Sequence, residues 1–118
     1  MELKADAKLL RIFLGESDKV KHTALYEVIV REARRAGLAG ATVWRGIMGF
    51  GPTSRIRTTR ILDLSTDLPI IIEITDEEEK INQFLPVLHD LFEKAQCGGL
   101  ITIEKVQVIK YIHGKEKE

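Results

Sequence analysis

Residues 69–95 read PIIIEITDEEEKINQFLPVLHDLFEKA and join a strand to a helix with almost no linker. Ile70, Ile72 and Ile74 alternate with Ile71 and Glu73, so three isoleucines share one face of an extended segment. Pro69 falls at the strand's first residue, where a missing N–H is tolerated. The period then changes. Thr75 and Glu78 have the Thr-x-x-Glu spacing of a capping box. Ile81, Phe84, Leu85, Leu88, Leu91 and Phe92 then recur at helical spacing to about residue 95. Pro86 interrupts this stripe and predicts a kink or a local break. The acidic run at Asp76, Glu77, Glu78 and Glu79 suits the positive end of a helix dipole, which accounts for it without a metal.

The same two periods organise the rest of the chain. Residues 8–14, KLLRIFL, form a first strand with Leu10, Ile12 and Leu14 on one face and Leu9, Arg11 and Phe13 on the other. Gly15 ends it, and Ser17 and Asp18 are candidate caps for a helix beyond it. That helix is predicted over about 21–36, with Leu25, Val28, Ile29, Ala33 and Ala36 as its apolar stripe and Gly37 just past its end. Residues 41–50 read as a second strand, and Gly46 within it suggests a bulge or a close backbone approach. A loop then runs to about residue 67. After the CGGL turn, a last strand is predicted over about 100–112. Its apolar phase shifts between Ile103 and Val106, which predicts a bulge near Glu104 and Lys105. Residues 115–118 read as a frayed tail.

The order is βαββαβ, the split βαβ or ferredoxin-like arrangement: an α+β sandwich with a four-stranded antiparallel sheet and two helices on one face. Strands with apolar residues in both phases imply that both sheet faces are at least partly covered. Two helices cover only one. Other copies of the chain are the simplest cover for the second, so a homo-oligomer of closed symmetry is expected.

Length and composition fit one domain over residues 1–118, with an ordered core at about 8–114. No apolar run is long enough to cross a bilayer as a helix, and the N-terminus lacks the pattern of a secretory signal, which places the chain in the cytoplasm. Cys97 is the only cysteine, and His22, His89 and His113 lie far apart, so no metal-ligating residues are assigned. One Asn and three Gln among abundant charged residues lean towards a thermophilic source. With 18 basic and 18 acidic residues the chain is neutral, which argues against nucleic-acid binding. No catalytic residues are assigned, because no Walker pattern, nucleophile spacing or isolated carboxylate pair is evident.

Positive charge nevertheless concentrates after a glycine turn. Gly49, Phe50 and Gly51 are followed by Arg55, Arg57 and Arg60, and Arg45 precedes them. Gly49 and Gly51 would let backbone amides approach an anion, or would serve a tight turn of positive φ. The arginines would bind phosphate through paired hydrogen bonds, or keep a solvated loop soluble, or meet an acidic partner. Gly98 and Gly99 offer amides to a phosphate or cap the preceding helix. Lys110 reaches an anion from a neighbouring subunit's edge or is a surface charge. Trp44 packs in an oligomer core or stacks on a base. Cys97 has no evident base beside it and is not read as a nucleophile.

Four stretches in this order carry a resemblance: GLAGATV at 37–43, GFG at 49–51, LPIIIEI at 68–74 with its acidic helix start, and Gly98-Gly99 before a strand ending VQVIKYIHG. Over about residues 8–114 the chain resembles the PII-like signalling proteins, in particular their uncharacterised branch of short stand-alone proteins. The resemblance implies a homotrimer with nucleotide sites in the clefts between subunits, at the base of a loop that comes after strand two and signals to partners. It departs from that pattern at Leu100, where PII proteins carry a phosphate-holding lysine, at Ile112, the second of two usually basic positions, and at Pro52. The loop is short and has no tyrosine.

These departures favour AMP or ADP, with ATP the less favoured ligand. The leading expectation is thus a non-enzymatic regulatory protein whose nucleotide site is built from Gly49, Phe50, Gly51, Arg45, Arg55, Arg57, Arg60, Gly98, Gly99 and Lys110. The association of relatives with ion-transport genes makes a membrane transporter a candidate partner protein. Two alternatives stand beside it: an interaction module using the basic loop without nucleotide, and a small-molecule enzyme on the same frame.

Overall fold

The computed structural model of the protein describes residues 5–53, 55–58 and 67–114. The elements, in chain order, are β1 (Asp6–Gly15), β2 (Lys19–Val20), β3 (Thr23–Ala24), α1 (Leu25–Arg35), β4 (Thr42–Arg45), β5 (Met48–Gly49), β6 (Arg57–Thr58), β7 (Pro69–Asp76), α2 (Glu78–Ala95) and β8 (Leu100–Gln107). The main sheet has the order β4-β7-β1-β8, and every neighbouring pair is antiparallel. This is the ferredoxin-like α+β fold that the βαββαβ order predicts.

The even-numbered residues of β1 and β7 make the core. Leu10 lies opposite Ile74, Ile12 opposite Ile72 and Leu14 opposite Ile70, and all six are buried. Leu25, Ile29 and Ala33 of α1 and Ile81, Phe84, Leu88 and Leu91 of α2 pack on them. Burying each large aliphatic or aromatic side chain stabilises the fold by about 1.5–3 kcal/mol before the entropy of ordering it is counted. The opposite face is uncovered in the single chain. Trp44 and Leu100 are each about half exposed there. Arg11 bridges Glu73 at 2.8 Å and also pairs with Glu104, while Trp44 Nε1 donates to Glu73 at 2.6 Å.

Local expectations at four places in the chain are corrected. Helix α1 begins at Leu25 rather than near residue 21, because β2 and β3 first form a small hairpin whose Lys21 takes a left-handed φ of 56°. It ends as expected: Gly37 (φ 79°) donates to the Arg34 carbonyl and Leu38 to the Ala33 carbonyl. The capping box does not form. Thr75 and Asp76 still belong to β7, and Glu77 caps α2 without a side-chain bond. Asp76 is instead buried and accepts N–H bonds from Ala39 at 2.9 Å and Glu77 at 2.7 Å.

Helix α2 runs unbroken through Pro86, so the local break, one of the two outcomes expected there, does not form. Pro86 and Asn82, whose carbonyl lacks its usual donor, are both exposed, so water can replace that bond. Finally, β8 pairs with β1 in continuous register from Asp6–Gln107 to Phe13–Leu100, with no bulge. The apolar phase shift reflects exposure of this edge strand, most of whose residues are open to solvent. The strand stops at Gln107, short of residue 112, and residues 108–114 form no regular element.

Candidate functional site

The second strand divides where glycine allows it. β4 pairs with β7 only as far as Arg45–Ile70. Gly46 then donates to the Pro69 carbonyl at 2.7 Å, the close backbone approach expected there. The chain leaves the sheet and pairs again as β5 with β6, Met48 opposite Thr58 and Gly49 opposite Arg57. This hairpin overhangs the end of the sheet and encloses a cleft of about 510 Å³. Gly49, Phe50, Gly51, Arg57, Gly98 and Gly99 all line it. Phe13, Leu14, Pro69, Ile70 and Ile71 make its lining largely apolar, and Leu100 and Pro52 also line it.

Gly49 and Gly99 serve close packing rather than unusual dihedrals. The positive-φ glycines among the described residues are Gly37 and Gly114, so the turn reading of Gly49 and Gly51 is not what the structure shows. A Cβ on Gly49 would stand 3.1 Å from Pro69 Cγ, whereas one on Gly51 would meet nothing within 4 Å. Helix α2 is capped by Gln96 in the left-handed region (φ 51°), which frees Gly98 and Gly99 from that task. A Cβ on Gly99 would collide with the Phe92 ring at 2.5 Å and the Phe13 carbonyl oxygen at 2.9 Å.

The arginines part company. Arg57 lines the cleft, with its guanidinium lying over Gly15, where a Cβ would come within 2.4 Å of Cζ. Its Nε donates to Asp67 Oδ2 at 3.3 Å. Arg55 approaches the same oxygen at 3.7 Å, and Arg45 pairs with Glu16 at 2.8 Å. Neither of these two lines the cleft. Arg60, like Ser54 and Thr59, lies outside the described residues. Lys110 lines a second cleft of about 460 Å³ with residues 39–42, Glu73, Thr75 and Tyr111, whose hydroxyl donates to the Ala39 carbonyl at 2.8 Å. Within one chain it is therefore apart from the glycine cleft. Trp44 belongs to neither cleft and stands on the open sheet face.

Sequence reasoning missed the acidic side of this site. The turn after β1 is latched to the start of β7: Glu16 N–H donates to the Leu68 carbonyl at 2.9 Å, Leu68 N–H to Glu16 Oε1 at 3.3 Å, and Ser17 N–H to Asp67 Oδ1 at 3.1 Å. Burial pushes the Asp67 carboxyl upward, but the Ser17 hydrogen bonds and the charges of Arg57 and Arg55 outweigh it, leaving the group below its ordinary value. Thus Arg45, Arg55 and Arg57 face Glu16 and Asp67. The only hint in the sequence was the acidic GESD turn at 15–18, read as caps. Asp18 does serve α1, but through its backbone carbonyl, which accepts Leu25 N–H at 2.7 Å, while its carboxylate accepts Gly15 N–H at 2.8 Å. Cys97 is pushed up to about 11 by burial and by Asp18, so its thiol is not activated.

A ferredoxin-like sheet in this strand order, with a glycine hairpin overhanging its end, places the molecule among proteins of PII-like fold. The chain belongs to the DUF190 family, described as an uncharacterised ACR, whose pattern matches residues 7–108. It is 43% identical to a UPF0166 protein of Aquifex aeolicus over 86% of this chain and 92% of that one. It is 40% identical to a UPF0166 protein of Methanocaldococcus jannaschii over 88% and 93%.

Among solved structures it is similar to a putative PII-like signalling protein of Thermus thermophilus, with TM-score 0.64, 26% identity and coverage of 92% of this chain and 94% of that one. It also shares the fold of CPII, a nitrogen regulatory PII-like protein of Thiomonas intermedia (TM-score 0.68, 24% identity, 89% and 90% covered), solved with ADP, AMP and bicarbonate. Among the described residues no helix is long and apolar enough to cross a membrane.

Proposed function

We propose that the protein is a PII-like regulator that binds an adenine nucleotide in the glycine cleft, works as a homotrimer and signals to a partner protein. The observation that carries this reading is the convergence of Gly49–Gly51, Gly98–Gly99 and Arg57, distant in sequence, on one largely apolar cleft. The apolar lining suits a purine, the open space beside Gly51 suits a phosphate, and Asp67 takes Nε of Arg57, so the terminal guanidinium nitrogens are the proposed phosphate donors. The one cleft-lining cation among the described residues suits one or two phosphates better than three, which favours AMP or ADP. The complexes of CPII with ADP and AMP support the ligand class.

Arg45, Arg55 and Lys110 take other parts. The first two neutralise carboxylates at the base of the loop, and Lys110 meets the nucleotide from a neighbouring copy packed on the open sheet face. Arg60 remains part of the proposal as a residue of the same loop. The role is sensing rather than turnover, and the partner engages the loop after β5; a membrane transporter is one candidate.

Native mass spectrometry of the full chain, titrated with AMP, ADP and ATP, tests this. A trimer gaining up to three adenylates, AMP or ADP before ATP, is the expected result. A trimer that takes up none of the three would remove the ligand from the reading and leave the loop as an interaction module.

A further inference from the structure

The described arginines of the loop are matched by acids of the latch. Arg57 and Arg55 share Asp67 Oδ2 at 3.3 and 3.7 Å, and Arg45 holds Glu16 at 2.8 Å. Of these acids, Asp67 touches the cation that lines the cleft, and its side chain is only 10% exposed, so water screens it poorly. A phosphate approaching Arg57 therefore meets a guanidinium already engaged by a carboxylate. Each further phosphate adds negative charge near that same carboxylate.

We infer that Asp67 is a positioning residue that limits the number of phosphates the cleft accepts, by holding Arg57 through Nε and by adding a fixed negative charge behind it. This rests on the nucleotide reading above. Asp67 holds Arg57 by Nε at the edge of the cleft that Arg57 lines, and its charge makes AMP the easiest ligand to accommodate and ATP the hardest. The mechanism is discrimination by repulsion rather than by an added contact.

Calorimetric titration of the full chain with AMP, ADP and ATP tests the inference in the wild type, Asp67→Asn and Asp67→Glu. Asparagine keeps an oxygen for the Ser17 N–H but loses the charge. Affinity in Asp67→Asn is expected to improve by about threefold for each added phosphate at low salt, shifting the ATP-to-AMP preference by about tenfold. Asp67→Glu keeps the charge and is expected to keep the wild-type order. Asp67→Ser, a second charge-removing change, is read in the same way should Asp67→Asn not fold. A shift equal for all three nucleotides, or none, would overturn the role of Asp67 and leave nucleotide binding standing. No binding by any form would overturn both.

Discussion

Gly15→Ala removes Arg57 from the cleft without touching any charge. Gly15 ends β1 at a φ that alanine can adopt, and it is glycine because Arg57 lies on it. A Cβ there would stand 2.4 Å from Cζ and from one terminal nitrogen, and 2.7 Å from the other. Ordinary contact needs about a further ångström, so the guanidinium must swing away and its 3.3 Å bond to Asp67 must lengthen or break.

Two effects then offset in stability. A compatible Gly→Ala change stabilises by about 0.4–1 kcal/mol through the unfolded chain, and loss of one partly buried ion pair costs about 1 kcal/mol. The denaturation midpoint should therefore move by less than about 1 kcal/mol equivalent. Ligand binding should not be so spared. A charge-assisted hydrogen bond contributes about 1.5–3 kcal/mol, so ADP affinity measured by calorimetry should fall about 10- to 150-fold, as far as in Arg57→Ala. The double variant should be no weaker than either single one, since both remove the same contact. Unchanged ADP affinity in a folded Gly15→Ala protein would refute the assignment of Arg57 to phosphate. A loss of several kcal/mol of stability would refute the claim that only a side-chain end must move.

Gly99→Ala should behave in the opposite way, because its Cβ meets the Phe92 ring at 2.5 Å and backbone at 2.9 Å; urea denaturation should show a loss of about 1–3 kcal/mol. Trp44 is the only tryptophan and donates to Glu73, whose carboxyl is held below its ordinary 4.5 by the Arg11 hydrogen bond and, against the opposing effect of burial, by Trp44. A depressed carboxyl stabilises the fold above its unfolded-state value, and that contribution is lost as pH falls through the folded one. Trp44 fluorescence should accordingly titrate with a midpoint below 4.5, and a midpoint at or above it would contradict the geometry. With its thiol near 11, Cys97 should resist iodoacetamide at about pH 8 in the folded protein and react on unfolding, as mass spectrometry of the alkylated product would show.

Much of the fold was legible because hydrophobic period is local. The isoleucines of β7, the alternation of β1 and most of both helix stripes report their faces through neighbours two to four residues away and lie in or against the core, whereas Ala36, read into the first stripe, is the exposed C-cap of α1. Where the reading erred, a competing tertiary partner decided. The edge position of β8 allowed an irregular apolar phase without a bulge, and Thr75 stayed in β7 beside Asp76, which accepts the Ala39 N–H, so no capping box opened α2.

The cleft was partly legible. Its glycines and Arg57 stand out by composition, and the PII-like resemblance marked where they would meet. The sequence by itself determined the order of the four main strands and two helices, the buried faces of β1 and β7 and the basic run that follows Gly49–Gly51. Only the tertiary structure decided that Arg57 rests on Gly15, that Asp67 restrains it, and that Arg45 and Lys110 lie elsewhere. The reason is separation along the chain: Ser17 and Asp67 meet across 50 residues and Arg11 and Glu104 across 93. No periodic pattern spans such distances, and the pairing of these charges exists only once the sheet has brought the strand ends together.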